Sequence, residues 1–142
     1  MSKSIQFATG VEQYDINGTV VEFNPTDYQF AERLVNVFDR MDALQQQFQG
    51  QMTAAKDNRK VFQACREIDA KMHQVIDDLF QNNVAAGIFR GCSCYALADG
   101  LPVWCNLILA IMDEVDATVV EETKATNPRL DAYLAKYKRA DA

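Results

Sequence analysis

Four cysteines and a single histidine are the residues of this 142-residue chain whose types suit metal binding or nucleophilic catalysis. Cys92 and Cys94 are separated by one residue, whereas structural zinc sites commonly use cysteine pairs separated by two to four. Cys105, with His73 or Cys65, would have to complete such a site. Because Cys65 lies in an apolar helical pattern, where cysteine behaves as a small hydrophobic residue, we expect ordinary thiols and no metal ligands.

His73 would need a cysteine, an orienting group and an oxyanion site nearby to support nucleophilic catalysis. The sequence contains no local signature of such an enzyme, no glycine-rich phosphate loop and no Ser-His-Asp spacing. His73 follows Met72 of an apolar stripe, which indicates a histidine at the border of a helix face. We therefore predict a protein that is not an enzyme, with no catalytic or cofactor-binding residues and no cofactor.

Acidic residues dominate the charge, with 20 acidic and 14 basic residues and a formal net charge of −6. This balance disfavours binding to nucleic acid, which requires clustered lysine and arginine. The acids between positions 113 and 122, and Asp77–Asp78, are predicted to form solvated helix faces. Such faces suit a basic protein partner, because surface charge governs encounter and partner choice.

The hydrophobic segments are short. The longest apolar run, Leu107 to Met112, falls far below the ~20 residues that a membrane-spanning helix needs. The N-terminal residues MSKSIQFATG lack the apolar stretch of a secretory signal. We expect a cytoplasmic protein with reduced cysteines and no membrane partner.

A β-hairpin is predicted from Val11 to Phe23, because Asn17-Gly18 is a dipeptide that favours a tight two-residue turn. Ile5 and Phe7 alternate with polar residues and predict a further strand. A lone hairpin is marginal in water, so this sheet is expected to pack on helices or on another subunit.

Apolar residues spaced alternately by four and three predict two long helices after the hairpin. Asn24 is the predicted N-cap of the first helix, with Pro25 in its first turn. The first stripe comprises Phe30, Leu34, Val37, Met41, Leu44 and Phe48, and the second comprises Val61, Cys65, Ile68, Met72, Val75 and Leu79. Between positions 48 and 61 the sequence does not distinguish an antiparallel helix pair from one long kinked helix.

Two more helices are predicted, one capped by Asp99 and carrying Trp104, and a short last helix that begins at Asn127-Pro128. The predicted fold is a mainly α, single α+β domain over residues 1–142, with about four to five helices and a small N-terminal β-hairpin. Its parts are the hairpin region 1–23, the helical core 24–126 and the C-terminal helix 127–142. The sequence does not show whether that last helix packs on the core.

The order of these elements resembles small prophage proteins of Gram-positive bacteria that look like tail assembly chaperones of long-tailed phages. The similar phrases are Asp15-Ile16-Asn17-Gly18, Phe23-Asn24-Pro25-Thr26-Asp27, Val75-Ile76-Asp77-Asp78-Leu79-Phe80, Gly87-Ile88-Phe89 and Leu107 through Val115. The resemblance implies a host-cytosol protein that binds the tape-measure protein before the tail tube assembles, with the tail-tube protein as a further partner. The alternative is a structural or adaptor protein of the tail that stays in the virion.

Wide apolar stripes for a small domain predict a surface left over for partners or self-association. The residues expected to contact a partner are Phe38, Phe62, Phe80 and Met112, and a homo-oligomer is expected. A groove between helices would suit an amphipathic client helix. The sequence does not give the oligomer number, the client segment or the existence of a frameshifted longer form.

Overall fold

The computed structural model describes residues 1–54 and 57–138 and confirms the mainly helical fold with an N-terminal hairpin. The described ranges contain two short antiparallel hairpins and five helices. The elements in chain order are β1 (Glu12–Ile16), β2 (Thr19–Phe23), α1 (Tyr28–Ala54), α2 (Asn58–Phe80), α3 (Ala85–Phe89), β3 (Leu97–Ala98), β4 (Leu101–Pro102), α4 (Val103–Lys124) and α5 (Pro128–Lys138).

The β1–β2 hairpin forms as the sequence predicts, with Ile16 paired to Thr19 across the turn. Asn17 and Gly18 have φ angles of 52° and 92°, which is the backbone of a tight primed turn. The third strand predicted at Ile5 and Phe7 is wrong, because residues 1–11 form no ladder. That segment is held instead by a side-chain hydrogen bond, in which Asn24 Nδ2 donates to the Thr9 carbonyl at 2.8 Å.

The hairpin is stabilised by packing on helices. The Phe23 ring stacks on Tyr14 at 4.4 Å and on Phe30 of α1 at 4.3 Å between ring centroids. At the turn, Arg90 Nε after α3 donates a 2.8 Å hydrogen bond to the Asn17 carbonyl. Aromatic burial and these turn contacts supply the support that an isolated hairpin lacks.

Helix α1 begins at Tyr28, later than the predicted cap at Asn24. Asp27 caps it, because Asp27 Oδ1 accepts a 3.0 Å hydrogen bond from the Gln29 amide. Asn24 Oδ1 instead accepts a 2.8 Å bond from the Thr26 amide. Asparagine commonly closes such a local turn when the chain is not yet helical, so the capping prediction at Asn24 is wrong.

Helices α1 and α2 form an antiparallel pair, which settles the question left open between positions 48 and 61. Arg40 of α1 pairs with Asp78 near the end of α2 at 3.2 Å. Met41 and Met72, one from each helix, are fully buried. The predicted α2 stripe is buried throughout, and the α1 stripe is buried from Phe30 to Met41. Helix α2 ends at Phe80, and its C-cap Gln81 adopts the left-handed backbone with φ 55°.

Helix α4 begins at Val103, and the predicted cap at Asp99 is wrong. Asp99 and Gly100 have φ angles of 54° and 79° and form the turn between β3 and β4. The predicted start of the last helix is confirmed, because Asn127 Oδ1 accepts a 3.0 Å hydrogen bond from the Arg129 amide. Within residues 1–54 and 57–138, the helices contain no apolar stretch of the length that a membrane span requires.

Candidate functional site

The four predicted partner-binding residues lie in different environments. Phe62 on α2 is 60% exposed. Phe38 on α1 is 40% exposed, and its ring centroid lies 5.7 Å from that of buried Trp104. Phe80 and Met112 are half-buried and pack against the core, so Phe62 and Phe38 are the more accessible of the four.

Exposed apolar side chains occur near both ends of the chain. Helix α5 carries four of them at the spacing i, i+3, i+4 and i+7, which places them on one helix face. We call this set the α5 stripe: Leu130, Tyr133, Leu134 and Tyr137, exposed by 64, 53, 42 and 63%. Ile5 and Phe7 near the N-terminus are 88 and 80% exposed. A last helix is predicted here from the sequence without a binding surface on it, although apolar residues at this spacing indicate an amphipathic face.

A concave face runs along α4 beside the β1–β2 hairpin, and we call it the α4 groove. One cavity of about 160 Å³ lies between Tyr14 and Ile111. A second, of about 240 Å³, lies between Ile16 and Val103. The two share Ile16, Leu107 and Ala110 in their walls, so they form adjacent parts of one apolar depression.

A further concave surface lies beside the C-terminal half of α4. There a wider depression of about 570 Å³ lies between the N-terminal segment at Ala8 to Gly10 and α4 residues that include Val119 and Glu122. Val119 and Val120 are 39 and 52% exposed. This half of α4 therefore presents apolar side chains that the described core does not cover, bordered by acidic ones.

Charge differs in sign between the last two helices. The second half of α4 carries the acidic residues Asp113, Glu114, Asp116, Glu121 and Glu122. Helix α5 carries Arg129 and Lys136 against a single acid, Asp131, over positions 128–137. The α5 stripe is thus flanked by positive charge, and the α4 groove by negative charge.

The cysteines are free thiols in four separate settings, with Cys65 and Cys94 buried, Cys105 half-buried and Cys92 exposed. The structure brings only Cys94 to His73, and Asp69 joins them. Sequence reasoning named Cys94 and His73 as candidates but missed Asp69. The available signal was the spacing of Asp69 and His73, since residues four apart share a helix face.

The Cys94 thiol is poorly suited to act as a nucleophile. Its side chain is fully buried, and burial, followed by the negative charge of Asp69, raises the pKa of the thiol well above its ordinary value. A reactive cysteine instead needs a thiolate that substrate can reach.

Comparison of the chain with models of known protein families, with curated proteins and with solved structures found no match. The surfaces and side-chain clusters of the chain itself are therefore the observations that bear on its function.

Proposed function

We propose that this chain is a phage or prophage tail assembly chaperone that binds the tape-measure protein in the host cytoplasm. It acts by binding another polypeptide and not by catalysis. The observation that carries the proposal is the α5 stripe, together with the open apolar half of α4. Both offer hydrophobic area to a partner, and the element order that resembles such chaperones supplies the kind of client.

The short length of α5 supports a role for the α5 stripe in binding. The helix has 11 residues, and isolated helices shorter than about 12 to 15 residues are marginal in water. All of its residues from Pro128 to Tyr137 are exposed. A helix of this length is therefore stabilised most when its apolar face is covered by another surface, as in recognition of one amphipathic helix by another.

Charge supports a helical client that carries basic residues. The acids of α4 border the groove with negative potential, which accelerates encounter with positive segments and disfavours acidic ones. The groove itself is lined by Leu107, Ala110 and Ile111, of which Ala110 is exposed. A client helix with an apolar face and flanking lysines or arginines fits both features.

We also propose that the chain self-associates when no client is bound. The positive flanks of the α5 stripe complement the negative rim of the α4 groove, so α5 of one copy is suited to the groove of another. A client that covers both the α5 stripe and the α4 groove would then displace the second copy. This displacement keeps the apolar surfaces covered before and after client binding.

The experiment is co-expression with the tape-measure protein encoded beside this chain's gene. We expect the client to become soluble and to co-purify with the chain. The double variant Leu130→Glu/Leu134→Glu should lose the client, because it places two acids within the α5 stripe. The matched control is Val35→Glu, which changes a 55% exposed residue on α1 and should retain the client.

Three outcomes would count against this proposal or against one part of it. A client that stays equally insoluble and does not co-purify overturns the chaperone proposal. A client retained equally by the double variant and by the control overturns the role of α5. Stoichiometric amounts of the chain in purified particles, measured by mass spectrometry, would favour the structural tail component instead.

A further inference from the structure

Three ligand-type side chains converge where α2 faces the loop that precedes β3. Asp69 and His73 occupy one face of α2, and Cys94 comes from the loop. Their oxygen, nitrogen and sulfur atoms all lie within 4.8 Å of one another. Among these atoms, His73 Nε2 and Asp69 Oδ2 lie 3.6 Å apart.

The polar atoms of this cluster are incompletely satisfied. His73 Nε2 is buried and has no hydrogen-bond partner among the described residues, and such a buried atom ordinarily finds one. Asp69 Oδ1 accepts a 2.8 Å hydrogen bond from the Cys94 amide, which fixes the carboxylate. Asp69 Oδ2 is left directed toward the imidazole. An imidazole nitrogen, a carboxylate oxygen and a thiol therefore lie close together, with lone pairs that the described residues leave free to bind a metal ion.

We propose that Asp69, His73 and Cys94 bind one zinc ion, with water as the fourth ligand. Zinc combines carboxylate, imidazole and thiolate ligands at bond lengths of about 2.0 to 2.3 Å in a tetrahedron. Ligand atoms in such a tetrahedron lie about 3.3 to 3.8 Å apart. The 3.6 Å separation between His73 Nε2 and Asp69 Oδ2 already lies in this range. The three ligand atoms lie within 4.8 Å of one another, so the most distant pair would have to approach by at most about 1 Å.

The ligand types select zinc over the common alkaline-earth ions. Calcium and magnesium prefer cages made only of oxygen, whereas a soft thiolate and an imidazole favour zinc and its neighbours in the transition series. The hydrogen bond from the Cys94 amide to Asp69 Oδ1 is of the supporting kind that orients a ligand carboxylate.

Zinc at this position would join α2 to the start of α4. The Cys94 carbonyl accepts a 3.0 Å hydrogen bond from the Trp104 amide. The next residue, Tyr95, donates its hydroxyl to the Cys65 carbonyl of α2 at 2.9 Å. A metal held by Asp69, His73 and Cys94 would therefore fix the loop from which α4 begins, and this role is independent of the proposed client binding.

This site departs from the zinc pattern considered in the sequence. The Cys92-x-Cys94 pair contributes only Cys94, and the two other ligands come from α2. Cysteine spacing along the chain does not reveal such a set, because the ligands meet only after the loop packs on the helix.

The test is titration of the full chain, carrying no polyhistidine tag, with cobalt(II) and then with zinc(II). We expect one equivalent of cobalt(II) per chain, with the thiolate-to-metal charge-transfer absorption of a cysteine ligand, and full displacement by zinc(II). Cys94→Ser should abolish that absorption. His73→Gln should weaken cobalt(II) binding by more than about tenfold, the smallest loss expected when even a supporting partner is removed.

The matched control is Cys105→Ser, which removes a half-buried thiol outside the cluster and should leave metal binding unchanged. Circular dichroism establishes that each variant is folded. If Cys94→Ser does not fold, His73→Gln decides, because His73 is partly solvent-exposed. Absence of the charge-transfer absorption, or its persistence in folded Cys94→Ser, would overturn the assignment.

Discussion

Trp104 of α4 donates a 2.9 Å hydrogen bond from its indole Nε1 to Oε1 of Gln45 on α1. Both residues are buried, with 1 and 8% of their surfaces exposed. Gln45 lies on the apolar side of α1 because the indole needs an acceptor there. The bond therefore fixes how α4 is oriented against the helix pair.

Replacing Gln45 with methionine should destabilise the fold by about 1 to 3 kcal/mol, because the buried indole N–H loses its acceptor. The cost should fall when Trp104→Phe is also present, since the donor is then gone. Chemical denaturation of the single and double variants measures this coupling. Gln46→Met, at the exposed neighbouring position, is the control, with an expected change within about 0.5 kcal/mol. An equal cost of Gln45→Met in both backgrounds would argue against the bond.

Asp77 has a structural role that the expectation of a solvated face did not include. Its Oδ1 accepts 2.8 Å hydrogen bonds from the amides of Val84 and Ala85, and so it links the end of α2 to the start of α3. Asp77→Ala should cost about 1 to 2 kcal/mol, as removal of a helix cap does. Asp78→Ala removes an exposed ion pair with Arg40 and an exposed hydrogen bond from Gln74, and it should cost less than about 1 kcal/mol. Equal losses of unfolding free energy in the two variants would contradict this role.

Tyr14 should make stability fall in strongly alkaline solution. Burial raises the pKa of its phenol from 10.0 to about 12, with a further contribution from Glu12, whose Oε2 lies 3.1 Å from the hydroxyl. Between these two pH values the unfolded phenol ionises while the folded one stays protonated, so the contribution is complete below pH 10.0 and is lost as pH rises toward about 12.

Spectrophotometric titration of phenolate, as the difference between the chain and Tyr14→Phe, measures this pKa. Glu12→Gln should lower it, because the negative charge that opposes ionisation is removed. An unchanged midpoint in Glu12→Gln would contradict a contribution of Glu12 to this pKa.

Self-association is expected to depend on α5. Light scattering of the full chain should give a mass above the 16.0 kDa of one copy, and a chain truncated after Ala125 should approach the monomer mass. High salt should also weaken the assembly, since at 1 M the screening length falls to about 3 Å. A monomer at all concentrations for the full chain would contradict the proposed pairing of α5 with the α4 groove.

Apolar periodicity by itself determined the helices and their buried faces. The α2 stripe from Val61 to Leu79 is buried as predicted, because a period near 3.6 leaves one face for the core. Asn17-Gly18 likewise determined the hairpin turn, since few dipeptides accept positive φ at both positions. These features depend on neighbours along the chain, so the local sequence contains the information that they require.

Only the tertiary structure decided which polar side chains act together. Asn24 and Asp99 have residue types suited to capping, yet Asp27 caps α1 and Asp99 occupies a β-turn, because several nearby residues satisfy the same local rule. Asp69, His73 and Cys94 meet through the packing of a loop on α2. Contacts between residues distant in the chain depend on how the elements are oriented. The spacing of residue types along the sequence does not predict that orientation.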